Sequence, residues 1–302
     1  MDFASLTPLT GGWSGQTFLA EVAGGRQVVR IYPPGSTGAR GELGAEVDAA
    51  LLQLMQGLLP VPEVVEVRRA VPEADQPALL VTGFLPGVRG DLVLPDLDAV
   101  GRGRLGRAVG EVAATLGGIP MLRQGPFVDA DLRIGSCADI DDLTSFVESQ
   151  RAALGHWSPA EHAGLLEVAY EAQALLDTVG RHCLVHSDLN PKNLLVDSDT
   201  LTVTGVLDWE FAHAGHPATD LGNVLRFDRD PAYADGVVTA YCERRGGDPD
   251  DLVRLARAAD LLALVDLAGR RADNPVAQRA HDLLLGIARE RDAGWTPPLG
   301  AA

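Results

Sequence analysis

The segment HSDLNPKNLLVDSDTLTVTGVLDWE, from His186 to Glu210, constrains this chain most, because it is β-forming within a half that otherwise reads as helix. From Leu97 onward, the stretches 96–118, 138–154, 158–180, 249–272 and 275–291 have the Ala, Leu, Glu and Arg content of helices. Ser158-Pro159 with Glu161 close behind marks one helix start. Residues 193–199 and 201–209 read instead as two short strands. Paired as a hairpin, they carry Asn193 and Asp208 to the same open end, with Asp188 just upstream.

That spacing has a chemical meaning if Asp188 orients a hydroxyl for attack on a phosphoryl group. Such a transfer needs positioning and charge neutralisation more than covalent help. Asn193 then offers an amide oxygen and Asp208 a carboxylate, the hard donors that Mg²⁺ prefers. Each residue alone has an ordinary role in a turn or cap. The three together point to chemistry.

The first 85 residues have a different texture. Residues 17–23 and 27–33 are strand-like runs flanking Gly24-Gly25, a hairpin signal. A helix is expected over 39–57, ended by Gly57, and two further strands over 62–71 and 77–85. Composition changes at Leu85 to Gly90, which divides the chain into 1–85 and 86–302. A small β-rich lobe joined to a larger helical one leaves a cleft, where ligands tend to bind.

HSDLNPKN resembles the catalytic loop His-x-Asp-x-x-x-x-Asn of the kinase-like fold, and LDWE sits where protein kinases carry Asp-Phe-Gly. GVLDWEFAHAGHPATDLGNVLR resembles the aminoglycoside phosphotransferase family, and the likeness is strongest from His182 to Phe227. The resemblance implies an α+β, bilobal protein-kinase-like fold. Its nucleotide-binding lobe would be 1–85, and the helical lobe 86–302 would hold the catalytic loop (182–210) and the acceptor site. By the same resemblance Asp188 is the catalytic base, and Asn193 and Asp208 are the Mg²⁺ ligands. His186 braces the loop and Asp220 anchors it from the following helix. The implied donor is ATP, with GTP as the alternative.

The same likeness extends to the first lobe. A phosphate-cradling loop needs glycines so that backbone amides can approach the anion. TGGWSGQTF would serve, with Gly12 and Ser14 among the residues nearest the phosphates. Arg30 in VVRIY stands where kinases carry a strand lysine, and Glu46 is its expected helix partner, with Glu42 a turn earlier as the alternative. LLVTGFLPG resembles the segment joining the lobes, where the Thr82 carbonyl and the Phe84 amide would hold adenine.

Bulk properties bear on the acceptor. The 302 residues carry a net charge of −17, which repels a phosphate backbone and disfavours nucleic acid as a partner. The same charge favours a small cationic acceptor. Glu210, next to the metal aspartate, and Asp260 and Asp266 on a late helix are the candidate acceptor contacts. An aminoglycoside and a tuberactinomycin-type cyclic peptide both fit. A macrolide, a small metabolite of the choline, homoserine or ketosamine type, and a non-catalytic nucleotide-binding role stay as alternatives. The Met1 terminus lacks a basic, apolar leader and no apolar run reaches a bilayer's thickness, so a cytoplasmic monomer or homodimer with no membrane partner is expected. Cys137, Cys183 and Cys242 are widely spaced and odd in number, and read as small apolar residues.

Overall fold

A computed structural model of the chain describes residues 5–9, 16–33, 40–136, 142–272 and 274–296. The first lobe is an antiparallel sheet of β1 (Ser5–Pro8), β2 (Gln16–Val22), β3 (Gly25–Tyr32), β4 (Val64–Arg68) and β5 (Ala78–Gly83) in the order β1-β2-β3-β5-β4. Gly25, at φ +134°, makes the β2–β3 reversal in a conformation that L side chains resist. Between β3 and β4 runs α1 (Gly44–Met55), which buries Val47, Leu51, Leu52 and Met55. Its chain reverses at Gly57, φ +80°.

The link between the lobes is itself structured. After β5 come β6 (Val88–Arg89) and α2 (Gly90–Val93). Further on, α3 (Ala99–Leu116) is capped by Asp98, whose side chain accepts from the Gly101 amide at 2.7 Å. The chain continues through β7 (Pro120–Met121), β8 (Gly125–Pro126), α4 (Leu143–Ser149) and α5 (Pro159–Leu176). The expected start of α5 is a full capping box between Ser158 and Glu161. The remaining elements are β9 (His182–Val185), β10 (Leu194–Val196), β11 (Val203–Val206), β12 (His213–Gly215), α6 (Thr219–Leu225), α7 (Pro231–Arg245), α8 (Pro249–Gly269) and α9 (Pro275–Glu290). The expected hairpin is β10–β11, and β6 adds to it in the order β11-β10-β6. A further sheet, β7-β9-β12-β8, corrects the reading of the second half as helical with one β interruption.

Helix α7 is absent from the sequence expectations, for a physical reason. Its Gly236 and the run Val237-Val238-Thr239 are poor helix formers. Close packing on α3 overrides that preference. A Cβ on Gly106 would lie 2.2 Å from the Tyr233 carbonyl, and one on Gly110 would lie 2.3 Å from that of Val237. Glycine is therefore required for the two backbones to approach.

Among the described residues three apolar clusters form, the smallest being Ala20, Val29 and Val81 within the first sheet. The first runs continuously from Val47, Leu51 and Leu80, through Leu105 and Val109, to Leu194, Val206, Trp209 and Val237. It therefore joins α1 of the first lobe to the β10–β11 hairpin. The second lies among α4, α5, α8 and α9, around Leu154, Leu165, Leu261 and Leu284.

Candidate active site

Asp188, Asn193 and Asp208 are drawn together by the β10–β11 hairpin. Leu194 pairs with Val206, and the Leu207 amide donates to the Asn193 carbonyl at 2.9 Å. Asn193 and Asp208 therefore stand at adjacent register positions at the hairpin's open end. Asn193 Nδ2 donates to Asp188 Oδ2 at 2.7 Å and to the Asp188 carbonyl at 2.9 Å. Asn190 Nδ2 donates to Asp188 Oδ1, also at 2.7 Å. Each carboxylate oxygen of Asp188 thus has an amide donor, which fixes its plane.

Below the loop, His186 is fully buried. Its Nε2 is 2.8 Å from the Leu207 carbonyl, and its Nδ1 lies 3.3 Å from the Asp188 amide nitrogen. The first must donate and the second accept, so His186 is the Nε2–H tautomer. Its ring stacks obliquely on Trp209, with centroids 5.0 Å apart. Asp220, near the start of α6, accepts from the backbone amides of His186 at 3.0 Å and Ser187 at 2.8 Å. Burial pushes the Asp220 carboxyl above its ordinary pKa, against the lowering effect of the two loop amides.

Two non-glycine residues here have left-handed backbones, Ser187 at φ 67° and Asp208 at φ 64°. This conformation costs about 1 kcal/mol, and aspartate tolerates it better than most residues. Asp208 also anchors a crossing between the lobes. Arg30 Nη1 lies 2.8 Å from its Oδ1, and Arg30 Nη2 pairs with Glu210. Burial works against the Arg30 charge, but Tyr32, Asp208, Asp48 and Glu210 more than offset it and hold its pKa above the usual value.

Several expected contacts are corrected. Glu46 is buried on α1, but the cation against it is Arg69, whose Nε is 2.9 Å from Oε1; Arg30 reaches past α1 to Asp208 and Glu210. The acid on α1 that acts on Arg30 is Asp48, two residues further on. The Phe84 amide is engaged by the Arg26 carbonyl at 3.3 Å, with the Arg26 guanidinium 3.9 Å from the Phe84 ring centre, so it is not open to adenine. Thr82 is buried within β5. Gly12 and Ser14 lie outside the described residues.

The acidic acceptor contacts are all taken up by arginines. Glu210 pairs with Arg30. Asp260 is 1% exposed on α8 and binds Arg226, whose Nη2 is 2.7 Å from Oδ1. It belongs to the packing of α6 on α8 and not to an open pocket. Asp266 is exposed and pairs with Arg270 one turn along the helix. Arg40, Asp48, Asn190 and Arg226 are site neighbours that the sequence reading missed. Only Asn190 carried a usable signal, as an Asx residue before Pro191 within the loop motif.

The donors present fit a magnesium–nucleotide complex. Asp208 and the Asn193 amide oxygen are hard ligands, and no cluster of three His, Cys, Asp or Glu residues able to hold a metal occurs among the described residues. Mg²⁺ is commonly held by one or two protein oxygens together with substrate phosphates, not by a complete protein cage.

Residues 5–257 match the family model of the phosphotransferase enzyme family, APH. The chain belongs to that family. It is accordingly a kinase-type phosphotransferase acting on hydroxyl groups. Among solved structures it is similar to the GDP complex of wild-type aminoglycoside 2'-phosphotransferase-IIIa, at 18% identity and a TM-score of 0.70, over 96% of this chain and 94% of that one. It is similar to a thermostable mutant of APH(4)-Ia with AMP-PNP and hygromycin B, at 19% identity and a TM-score of 0.64, over 94% of each chain. A further neighbour is a putative aminoglycoside phosphotransferase from Ralstonia eutropha, at 18% identity and a TM-score of 0.63, covering 95% of this chain and 91% of that one. These likenesses show the kinase-like fold. Mouse (Mus musculus) acyl-CoA dehydrogenase family member 11 is 31% identical over 94 residues, 25% of this chain, and the match spans only 12% of that protein. No helix among the described residues is long and apolar enough to cross a membrane.

Proposed function

We propose that this family member transfers the γ-phosphoryl group of ATP, with GTP as the alternative donor, to a hydroxyl of a small cationic antibiotic of the aminoglycoside or tuberactinomycin type. In a cell it would thereby confer resistance, acting in the cytoplasm as a monomer or homodimer. The observation that carries the phosphoryl-transfer reading is the linked position of Asp188, Asn193 and Asp208 at the open end of one hairpin. Asp188, oriented by Asn190 and Asn193, accepts the proton of the attacking hydroxyl. Asp208 and Asn193 would hold Mg²⁺, which when bound would neutralise charge on the nucleotide's phosphates. Arg30 would take phosphate oxygens from the nucleotide side. Residues 1–85 serve as the nucleotide lobe, and 86–302 carry the catalytic loop and acceptor site.

The cationic acceptor draws support from the net charge of −17 and from the aminoglycoside phosphotransferases that share the fold. A second reading, a small-metabolite kinase, is favoured by one specific observation: Glu210, Asp260 and Asp266 are each neutralised by an arginine. One experiment tests both. The protein is incubated with ATP or GTP, Mg²⁺ and a panel of aminoglycosides, cyclic peptides, macrolides, choline, homoserine and ketosamines, and phosphorylated product is read by mass spectrometry. Turnover of a cationic antibiotic is expected. Turnover confined to a metabolite would transfer the assignment to the second reading, and no transfer to any hydroxyl would overturn both.

A further inference from the structure

Arg40 is a largely covered arginine just ahead of α1 to which the phosphoryl-transfer chemistry assigns no role. Its side chain is 11% exposed and pairs with Asp48 on α1, whose side chain is 5% exposed. Asp48 also accepts from the Tyr32 hydroxyl at 2.6 Å, so β3, α1 and Arg40 meet at one carboxylate. The rest of the Arg40 guanidinium crosses to the other lobe. Nη2 donates to the Trp209 carbonyl at 3.0 Å and to the Ala212 carbonyl at 2.5 Å. Those two carbonyls frame the turn that begins at Asp208.

That turn needs holding. Asp208 has a left-handed backbone, φ 64° and ψ 66°, which persists only where the surroundings over-determine it. From its own lobe the turn is held by the Trp209 Nε1 bond to the Val206 carbonyl at 3.0 Å and by the His186 bond to the Leu207 carbonyl. From the other side Arg30 engages the side chains of Asp208 and Glu210, whereas Arg40 engages backbone. The distinction matters for a metal ligand. A side-chain pair with Asp208 competes with a cation for the same oxygen, but backbone bonds leave the carboxylate free and still fix where it points.

We infer that Arg40, fixed by Asp48, is a positioning residue that clasps the Asp208 turn from the nucleotide side and sets the affinity of the site for its divalent cation. The inference rests on the reading of Asp208 as a metal ligand. Groups that orient a ligand without touching the metal commonly change affinity 10- to 100-fold when removed, and an effect of about tenfold is expected here. The clasp also makes α1 and the metal aspartate move together. Displacement of α1 would therefore disturb the cation site without any change in its ligands.

The test uses the full chain with ATP and Mg²⁺. Arg40→Gln, Arg40→Lys, Asp48→Asn and the double variant R40Q/D48N are compared with Leu165→Ala, which weakens the distant second core. Calorimetry gives ATP affinity as a function of Mg²⁺, and hydrogen exchange reports on residues 207–212 in the free protein. The clasp predicts that R40Q and D48N each raise the Mg²⁺ needed for half-maximal ATP affinity by about tenfold and speed exchange in 207–212. R40K, which keeps the charge but loses the fork, falls between them and wild type. The double variant is no worse than the worse single one, because both remove the same link. L165A lowers the melting temperature with the Mg²⁺ requirement unchanged. Should R40Q fail to fold, R40K and D48N give the same reading. An Mg²⁺ requirement and exchange rate equal to those of L165A in the folded variants would overturn the clasp. Asp208→Asn separates the two levels: if it leaves Mg²⁺ dependence intact, the metal-ligand reading fails, and if it alone abolishes that dependence, only the clasp fails.

Discussion

The strip from His186 to Asp220 and the helical cap of α4, α5, α8 and α9 handle polar groups in opposite ways. In the strip, buried groups converge on one point: Asp220 holds the loop amides, His186 ties the loop to Leu207, and Ser187, Leu201 and Asp208 keep left-handed backbones. In the cap, acidic groups are paired off by arginines. Asp260 is closed against Arg226 and Asp266 against Arg270, around an apolar centre of Leu, Val and Ala. The strip holds a particular backbone geometry in place, whereas the cap makes an apolar wall. Its acidic residues say little about what the wall recognises.

The largest expected effect falls on activity and comes from the strip. Asp220→Asn leaves one acceptor oxygen for two loop amides, so one buried group loses its partner, at about 1–3 kcal/mol. The catalytic loop loses its anchor, and kcat should fall by about 100-fold or more in steady-state assays. If kcat held while only stability fell, the strip would be no more specialised than the cap.

Asp260→Asn gives the converse. Arg226 would remain buried and uncompensated, which typically costs about 3–5 kcal/mol. Urea denaturation should register the loss, with acceptor KM little changed in the protein that stays folded. A selective rise in acceptor KM would return Asp260 to the acceptor site.

A smaller effect concerns His216, at the strip's far side. Burial, helped by His182 and Arg181, lowers its pKa from 6.5 to about 4. The folded protein keeps this ring neutral while the unfolded chain protonates it. Its contribution to stability is therefore full above about pH 6.5 and is lost as the pH falls towards about 4. His216 Nδ1 also accepts from the Ala218 amide at 3.1 Å, a bond that asparagine can imitate. His216→Asn should therefore flatten the dependence of melting temperature on pH across that window, as read by scanning calorimetry. An unchanged slope would remove His216 as its cause. The smallest effect belongs to Asp266→Asn, whose exposed pair with Arg270 should be worth no more than about 0.5 kcal/mol and should leave acceptor KM unaltered.

The contrast explains what could be read from the amino acids. Asp188, Asn193 and Asp208 were legible because one local hairpin sets all three, so their spacing carries the geometry. The sheet of the first lobe, and α1, α3, α5, α8 and α9, were legible through periodicity and caps such as Ser158. Helix α7 was not, because its stability comes from the approach of Gly236 to α3 and not from its own propensities. The partner of Glu46, the engagement of the Phe84 amide and the burial of Asp260 depend on residues distant in the chain, which no local pattern encodes. Arg40 escaped for the same reason: its acceptors lie about 170 positions away.

The central claim is that Asp188 is the base for phosphoryl transfer on a loop whose other residues bind the nucleotide and its metal. Its most direct test is Asp188→Asn, assayed for transfer to the acceptor found by the panel and for Mg·ATP affinity by calorimetry. The account predicts a loss of transfer of about 10²–10⁴-fold, with nucleotide affinity close to that of the parent protein. Undiminished transfer by the Asp188→Asn variant would contradict it.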